Sequence, residues 1–278
     1  MRNVVWIGGG CGAGKSTLAR MLAFRFDLRL YRVDSFAYPH QRRIDPVRHP
    51  QMARLAALSH TERFVDPSPA QLAADFTAYA HEAFAMVLDD LAALADGPLV
   101  IAEGPSLLPE LVAPVAASAG HTIWLLPTSE FTDRNLSRRF DPHKDDPDAK
   151  RRHDNRIGRD RLLTEAMRAS ASKHGLPVLD VDGSLSLEQT ADRLSEHFAD
   201  VLAAGPRARD GAERSRLRRA ENTETHTAVT MFLESLGDAA PEDPPPVTFA
   251  CECETLGCQA EVALPPSRYP SLDDVIAH

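Results

Sequence analysis

The sequence predicts an α/β protein: a five-stranded parallel sheet between two layers of helices, with a small cysteine-containing module after it. Three observations carry this. Short apolar runs alternate with longer stretches of helical periodicity through residues 1–204. A glycine-rich loop joins the first run to the first helix. After residue 205 the composition turns arginine-rich, then proline-rich, then cysteine-bearing. The expected division is therefore an α/β domain over 1–204, a charged and Pro-rich linker with a short helix over 205–246, and a Cys-rich module over 247–278.

The candidate strands are Val4–Ile7, Leu28–Val33, Leu99–Ala102, His121–Leu126 and Pro177–Val181. Each is short and almost continuously apolar, as strands covered on both faces should be. A helix follows the glycine loop over Thr17–Phe26. Ser68-Pro69 supplies an N-cap and a proline at the first helical position. Apolar residues then recur near helical period at Leu72, Phe76, Tyr79, Ala83, Val87, Leu91 and Leu94, until Gly97-Pro98 ends the run. A further helix starts near Ile157 and closes at His174-Gly175, and the last of the domain covers Leu187–Leu202. The proline-rich stretch at 237–246 suits an extended spacer.

Composition excludes several classes. Lys and Arg number 31 against 40 Asp and Glu, a net charge of −9, which is the wrong sign for a general nucleic-acid binder. No apolar run is long enough to cross a bilayer, so no membrane contact is expected. The N-terminal residues run straight into a strand and a glycine loop, which is not a signal peptide. Four cysteines, one in the loop and three crowded together, do not make a distributed disulfide framework, so a reducing cytoplasm is expected. A homodimer is left open.

Gly9-Gly10-Cys11-Gly12-Ala13-Gly14-Lys15-Ser16 fits G-x-x-x-x-G-K-[ST] without mismatch, between a strand and a helix opening at Thr17. Glycines let the backbone wrap a phosphate with its N–H groups inward, and the helix N-terminus adds partial positive charge. Lys15 can reach the β- and γ-phosphates, and Ser16 can ligate magnesium. The motif implies the three-layer P-loop NTPase fold with MgATP as cofactor. Cys11 reads as a position tolerating a small side chain.

Acids stand where the strands end. Asp34 follows the second strand, where it can accept the proton of a hydroxyl and orient its oxygen in line with the γ-phosphorus. Glu103 ends the third strand and suits an acid that holds magnesium through water. Asp182 ends the fifth, either lining an adenine pocket through its loop backbone or closing a simple turn. After the fourth strand, a helix carries Arg134, Arg138 and Arg139, and the polar stretch Asp141–Asp148 leads to Arg151, Arg152, Arg156, Arg159 and Arg161. Arginines on a closing lid can stabilise the charge of phosphoryl transfer; one or two near Arg138 and Arg159 are expected to contact nucleotide, with Arg138 the catalytic one.

This order of segments resembles small P-loop kinases of the nucleoside and nucleotide kinase group. Val33-Asp34-Ser35-Phe36 is similar to the V-D-S segment of chloramphenicol phosphotransferase and the D-S-F-Y segment of uridine kinases, which implies Asp34 as base. Val100–Gly104 is similar to the V-x-x-E-G strand end of uridine kinase and phosphoribulokinase. Arg134 and Arg138 resemble the R-x-x-x-R pair that lies against adenine and phosphates in adenylate-kinase-like enzymes. The resemblance covers about 1–204 and implies transfer from ATP to a small-molecule hydroxyl. A nucleotide monophosphate kinase and a nucleotide-binding regulatory or adaptor protein are the alternatives. The region 36–95 matches none of these families; its Tyr38, His40, Arg42, Arg43, Arg48, His49 and Arg63 hint at an anionic acceptor.

Cys251, Cys253 and Cys258 form C-x-C-x-x-x-x-C, followed by Tyr269 and His278. The pattern resembles a Cys-rich tail appended to various actinobacterial proteins. By ligand count it could be a Cys3His zinc site with His278, or three reduced thiols without metal.

Overall fold

The computed structural model describes residues 1–138, 147–237 and 240–269, and of 135–138 the backbone only. In chain order the elements are β1 Val4–Gly9, α1 Lys15–Arg25, β2 Arg29–Arg32, a 3-10 turn Val33–Phe36, and the short helices α2 Ala37–Gln41, α3 Pro50–Ala56 and α4 His60–Phe64. Then come α5 Pro69–Ala92, β3 Val100–Glu103, α6 Pro109–Val112, β4 Thr122–Pro127, α7 Ser129–Arg138, α8 Pro147–Lys173 and β5 Val178–Val181. The chain continues as α9 Leu187–His197, α10 Ala199–Ala204, α11 Gly211–Leu236, β6 Val247–Ala250 and β7 Glu261–Leu264.

β1 to β5 form one parallel sheet in the order β2-β3-β1-β4-β5. Alternate residues of a strand face opposite sides, and the core divides accordingly. Val5 and Ile7 pack with Leu18 and Leu22 of α1 and with Leu194 and Phe198. Val4 and Trp6 pack on the other face with Phe84 and Val87 of α5, Val112 of α6 and Met167 of α8. The layering is helix, sheet, helix. The connection leaving β1 leads toward β2, and the one leaving β4 leads toward β5, so a crevice opens at the carboxyl ends around β1 and β4. Among the described residues, no helix is long and apolar enough to cross a membrane.

Two expectations are corrected. The helix expected from Ile157 begins ten residues earlier, at Pro147, because polar residues fill its first turns and hide the periodicity. The stretch expected to be a linker with a short helix is the 26-residue α11, capped by Asp210, whose side chain accepts from the Glu213 N–H. Its arginines, which look solvated in sequence, find buried acids in space. Arg214 makes two bonds to Asp27, at 2.6 and 2.7 Å. Arg218 donates to the Leu28 carbonyl and lies over the Phe24 ring, 4.0 Å from its centroid.

β2 is an edge strand, and α11 supplies the partners that a sixth strand would have offered. The Glu221 carboxylate accepts the Leu30 N–H at 2.8 Å and also pairs with Arg29 at 3.3 Å and Arg218 at 3.2 Å. All three side chains are buried. Glu221→Gln is expected to lower unfolding free energy by about 3 kcal/mol, because it leaves buried Arg218 short of its counter-charge and Arg29 with Glu224 alone. Urea denaturation measures this, and an unchanged midpoint would remove Glu221 from the stabilising contacts of β2.

Candidate functional site

The glycine loop is built by backbone geometry that side chains would forbid. Gly9, Gly12 and Gly14 have φ of 128°, 79° and 80°, the half of conformational space that glycine enters freely. A Cβ at Gly9 would also stand 2.1 Å from the Leu125 carbonyl oxygen of β4. Gly14 opens α1 in left-handed conformation without a side-chain cap. The Gly10 N–H bonds to the Leu125 carbonyl and the Leu18 N–H to the Gly14 carbonyl, at 3.0 and 2.9 Å. Between them, the N–H groups from Cys11 to Thr17 have no protein acceptor among the described residues. A run of unpaired donors at a helix start is an anion-binding arrangement.

Lys15 is buried and its Nζ donates to the Gly10 carbonyl at 2.8 Å, folding its charge over the loop. The Ser16 hydroxyl stands beside the Glu103 carboxylate, which is 3% exposed. Burial raises the Glu103 carboxyl above the usual range, and Lys15 and the Ser16 hydroxyl oppose that rise. Asp34 lies in the 3-10 turn after β2, open to the crevice on one side and crowded by protein on the others. That crowding raises its carboxyl as well, against the pull of the Lys15 charge. Hydroxyl, ammonium and two carboxylates therefore meet at the ends of β1, β2 and β3. They can hold a divalent cation beside a bound anion and take a proton from a hydroxyl.

Lys15, Ser16 and Asp34 line a cleft of about 540 Å³, together with Cys11, Arg156 and Arg159 among others. No family model matches the chain, and no curated protein aligns with it significantly.

Crowding and the nearby Asp160 carboxylate push the Cys11 thiol up, away from the reactive thiolate. Arg134 donates to the Asp182 carbonyl at 2.6 Å, outside the residues lining the cleft. Asp182 closes a turn by accepting the Ser184 N–H at 2.8 Å, the plainer of its two readings. The Arg138 side chain, Arg139 and most of the polar stretch after it lie outside the described residues, as does His278. In the place expected for Arg134, α8 presents Arg156 and Arg159. Arg159 is oriented by its neighbour, donating from Nε and Nη2 to Asp160 at 2.9 and 2.6 Å. The sequence held a signal for this face, since Ala149, Arg152, Arg156, Arg159 and Leu163 recur at three- and four-residue steps. Phe131, Thr132 and Asp160 also line the cleft and carried no comparable mark.

Arg159 also borders a second cavity, of about 280 Å³, between the short helices and α5. Tyr38, Phe64, Leu72, Phe76 and Tyr79 give it an apolar wall, with Asp75 and Arg63 as polar groups. The hint of an anionic acceptor is not supported by where the basic residues go. His40 and Arg43 bond to Asp90 at 2.7 and 2.6 Å, Arg42 to Glu234 at 2.9 Å, and Arg48 pairs with Asp45 at 3.8 Å. His49 accepts the Asp45 N–H at 3.0 Å. Of that group, Tyr38 and Arg63 line the cavity.

Apart from this region, Cys251, Cys253 and Cys258 bring their sulfur atoms within 4.8 Å of one another, a group that could hold a metal ion.

Proposed function

We propose that the protein is an ATP-dependent kinase of the P-loop NTPase fold, transferring the γ-phosphate of MgATP to a hydroxyl of a small molecule. The observation that carries this reading is the run of unpaired N–H groups from Cys11 to Thr17, closed by Lys15 and facing Asp34 across one cleft. The loop amides, with Gly9, Gly10, Gly12, Ala13 and Gly14 shaping the bend, would cradle the phosphates. Lys15 would offset charge on the β- and γ-phosphates. Ser16 would ligate magnesium and Glu103 would hold it through water, for which the nearness of the Ser16 hydroxyl to that carboxylate supplies the juxtaposition. Magnesium would neutralise charge on the transferring group. Asp34 accepts the hydroxyl proton, and Arg159, with Arg156 beside it, contributes cationic stabilisation along with Arg138 of the sequence reading.

The aromatic cavity beyond Arg159 suits the body of the acceptor. A phosphate acceptor would call for free cations there, whereas most of the region's arginines are turned to Asp45, Asp90 and Glu234. This favours an alcohol over a nucleotide monophosphate. The reading places the protein in the cytoplasm, where MgATP is abundant.

Phosphorus NMR on the purified chain with MgATP and a panel of nucleosides, sugars and aromatic alcohols tests the proposal. A phosphomonoester signal growing with ADP is the expected result. Tight ATP binding without transfer across the panel would favour the regulatory or adaptor reading. Failure to bind ATP would end the P-loop reading itself.

A further inference from the structure

We propose that Cys251, Cys253 and Cys258 bind one zinc-type divalent cation, and that this metal fixes α11 in the position from which it braces edge strand β2. The three thiols sit on the turn joining β6 to β7. Gly257, with φ of 68°, and the bond from the Cys258 N–H to the Thr255 carbonyl at 3.3 Å reverse the chain there. The reversal returns Cys258 to the other two. The Cys253 N–H points at the Cys251 sulfur at 3.5 Å, an orientation that supports a thiolate. No disulfide joins the cysteines. A disulfide would use two of the thiols and strand the third, whereas a tetrahedral thiophilic cation uses all three and displaces their protons.

The surroundings say why a metal is needed. Among the described residues the hairpin contributes Phe249, Cys251 and Glu252 to the buried set, too little apolar surface to order a two-stranded ribbon. Yet this ribbon carries contacts that demand order. Asn222 of α11 both donates to and accepts from the Ala250 backbone, at 2.9 and 2.8 Å. The buried Glu252 carboxylate receives Asn222 and Arg219, at 2.9 and 3.0 Å. Arg214 donates to the Glu254 carbonyl at 2.6 Å while holding Asp27. From α1, Arg20 reaches the Gln259 carbonyl and Glu261, each at 3.0 Å. The adjoining face of α11 then holds β2 through Glu221 and Leu30, four residues before Asp34. A metal on the hairpin thus secures one face of a helix whose adjoining face secures the strand.

The test needs no enzymatic readout. Elemental analysis of the full chain, purified from zinc-containing medium under reducing conditions, should give about one zinc per chain. The ratio should fall toward zero in Cys253→Ser and Cys258→Ser and persist in Cys11→Ser. Cobalt(II) added to the chelator-stripped wild type should produce the thiolate charge-transfer band and intense visible bands of a tetrahedral site, a readout independent of how the variants fold. A metal-free chain with three freely reacting C-terminal thiols and no cobalt band would overturn the site. Hydrogen exchange tests the brace: stripping the metal should speed exchange in residues 211–225 and at the Leu30 amide. A bound metal whose removal leaves both unchanged would overturn that part.

Discussion

Asp34→Asn is expected to reduce kcat for an alcohol acceptor by about 10³-fold, the range of a positioned general base. ATP affinity should stay nearly unchanged. The side chain stands at the crevice after β2, within the electrostatic reach of Lys15, and asparagine keeps its size while losing the proton-accepting oxygen. pH adds a second readout. Because protein crowding raises the Asp34 carboxyl, the base form is lost on acidification earlier than for an ordinary aspartate. kcat/KM should therefore fall, as pH drops, along a limb lying above the usual carboxylate range, and the limb should vanish in Asp34→Asn. A variant with full activity, or a profile unchanged by the substitution, would remove Asp34 from the chemistry.

Lys15→Ala should cost more, about 10³- to 10⁴-fold in kcat/KM, because a preorganised cation on the transferring group counts most in the water-poor transition state. The native bond that it gives up, from the charged ammonium to the Gly10 carbonyl, is worth about 2 kcal/mol to stability, so the variant should fold. Its loss also has an electrostatic signature in the free protein. Lys15 lowers both the Asp34 and Glu103 carboxyls against their burial, so both should titrate at higher pH in the variant. Carbon-13 NMR of the labelled carboxyls reads this without substrate. Carboxyls that titrate as in the wild type would place the lysine elsewhere than over the two acids.

Much of the scaffold was legible because β1, β3 and β4 are buried on both faces and are therefore written as nearly unbroken apolar words. The glycine loop was legible for a stronger reason: left-handed φ at Gly12 and Gly14, and the lack of room for a Cβ at Gly9, restrict the residues that can occupy it. Less could be read where function depends on pairing across space. Arg214 and Arg218 look like a solvated charge run until Asp27 and the Leu28 carbonyl are brought beside them from the other end of the chain. Arg42 and Arg43 look available for an anion until Glu234 and Asp90 close on them. A formal charge can be counted in a sequence, but its partner lies tens or hundreds of residues away.

By itself, then, the sequence determined the parallel α/β sheet, the bend at Gly9–Ser16 and the carboxylates that end β2 and β3, because local conformation and strand burial depend on residue type. Tertiary structure alone decided that Arg134 turns to the Asp182 carbonyl outside the cleft, that the basic residues after β2 are taken by acids, and that α11 completes an edge strand. Those outcomes rest on which charges share a buried neighbourhood, and only the packed chain sets that.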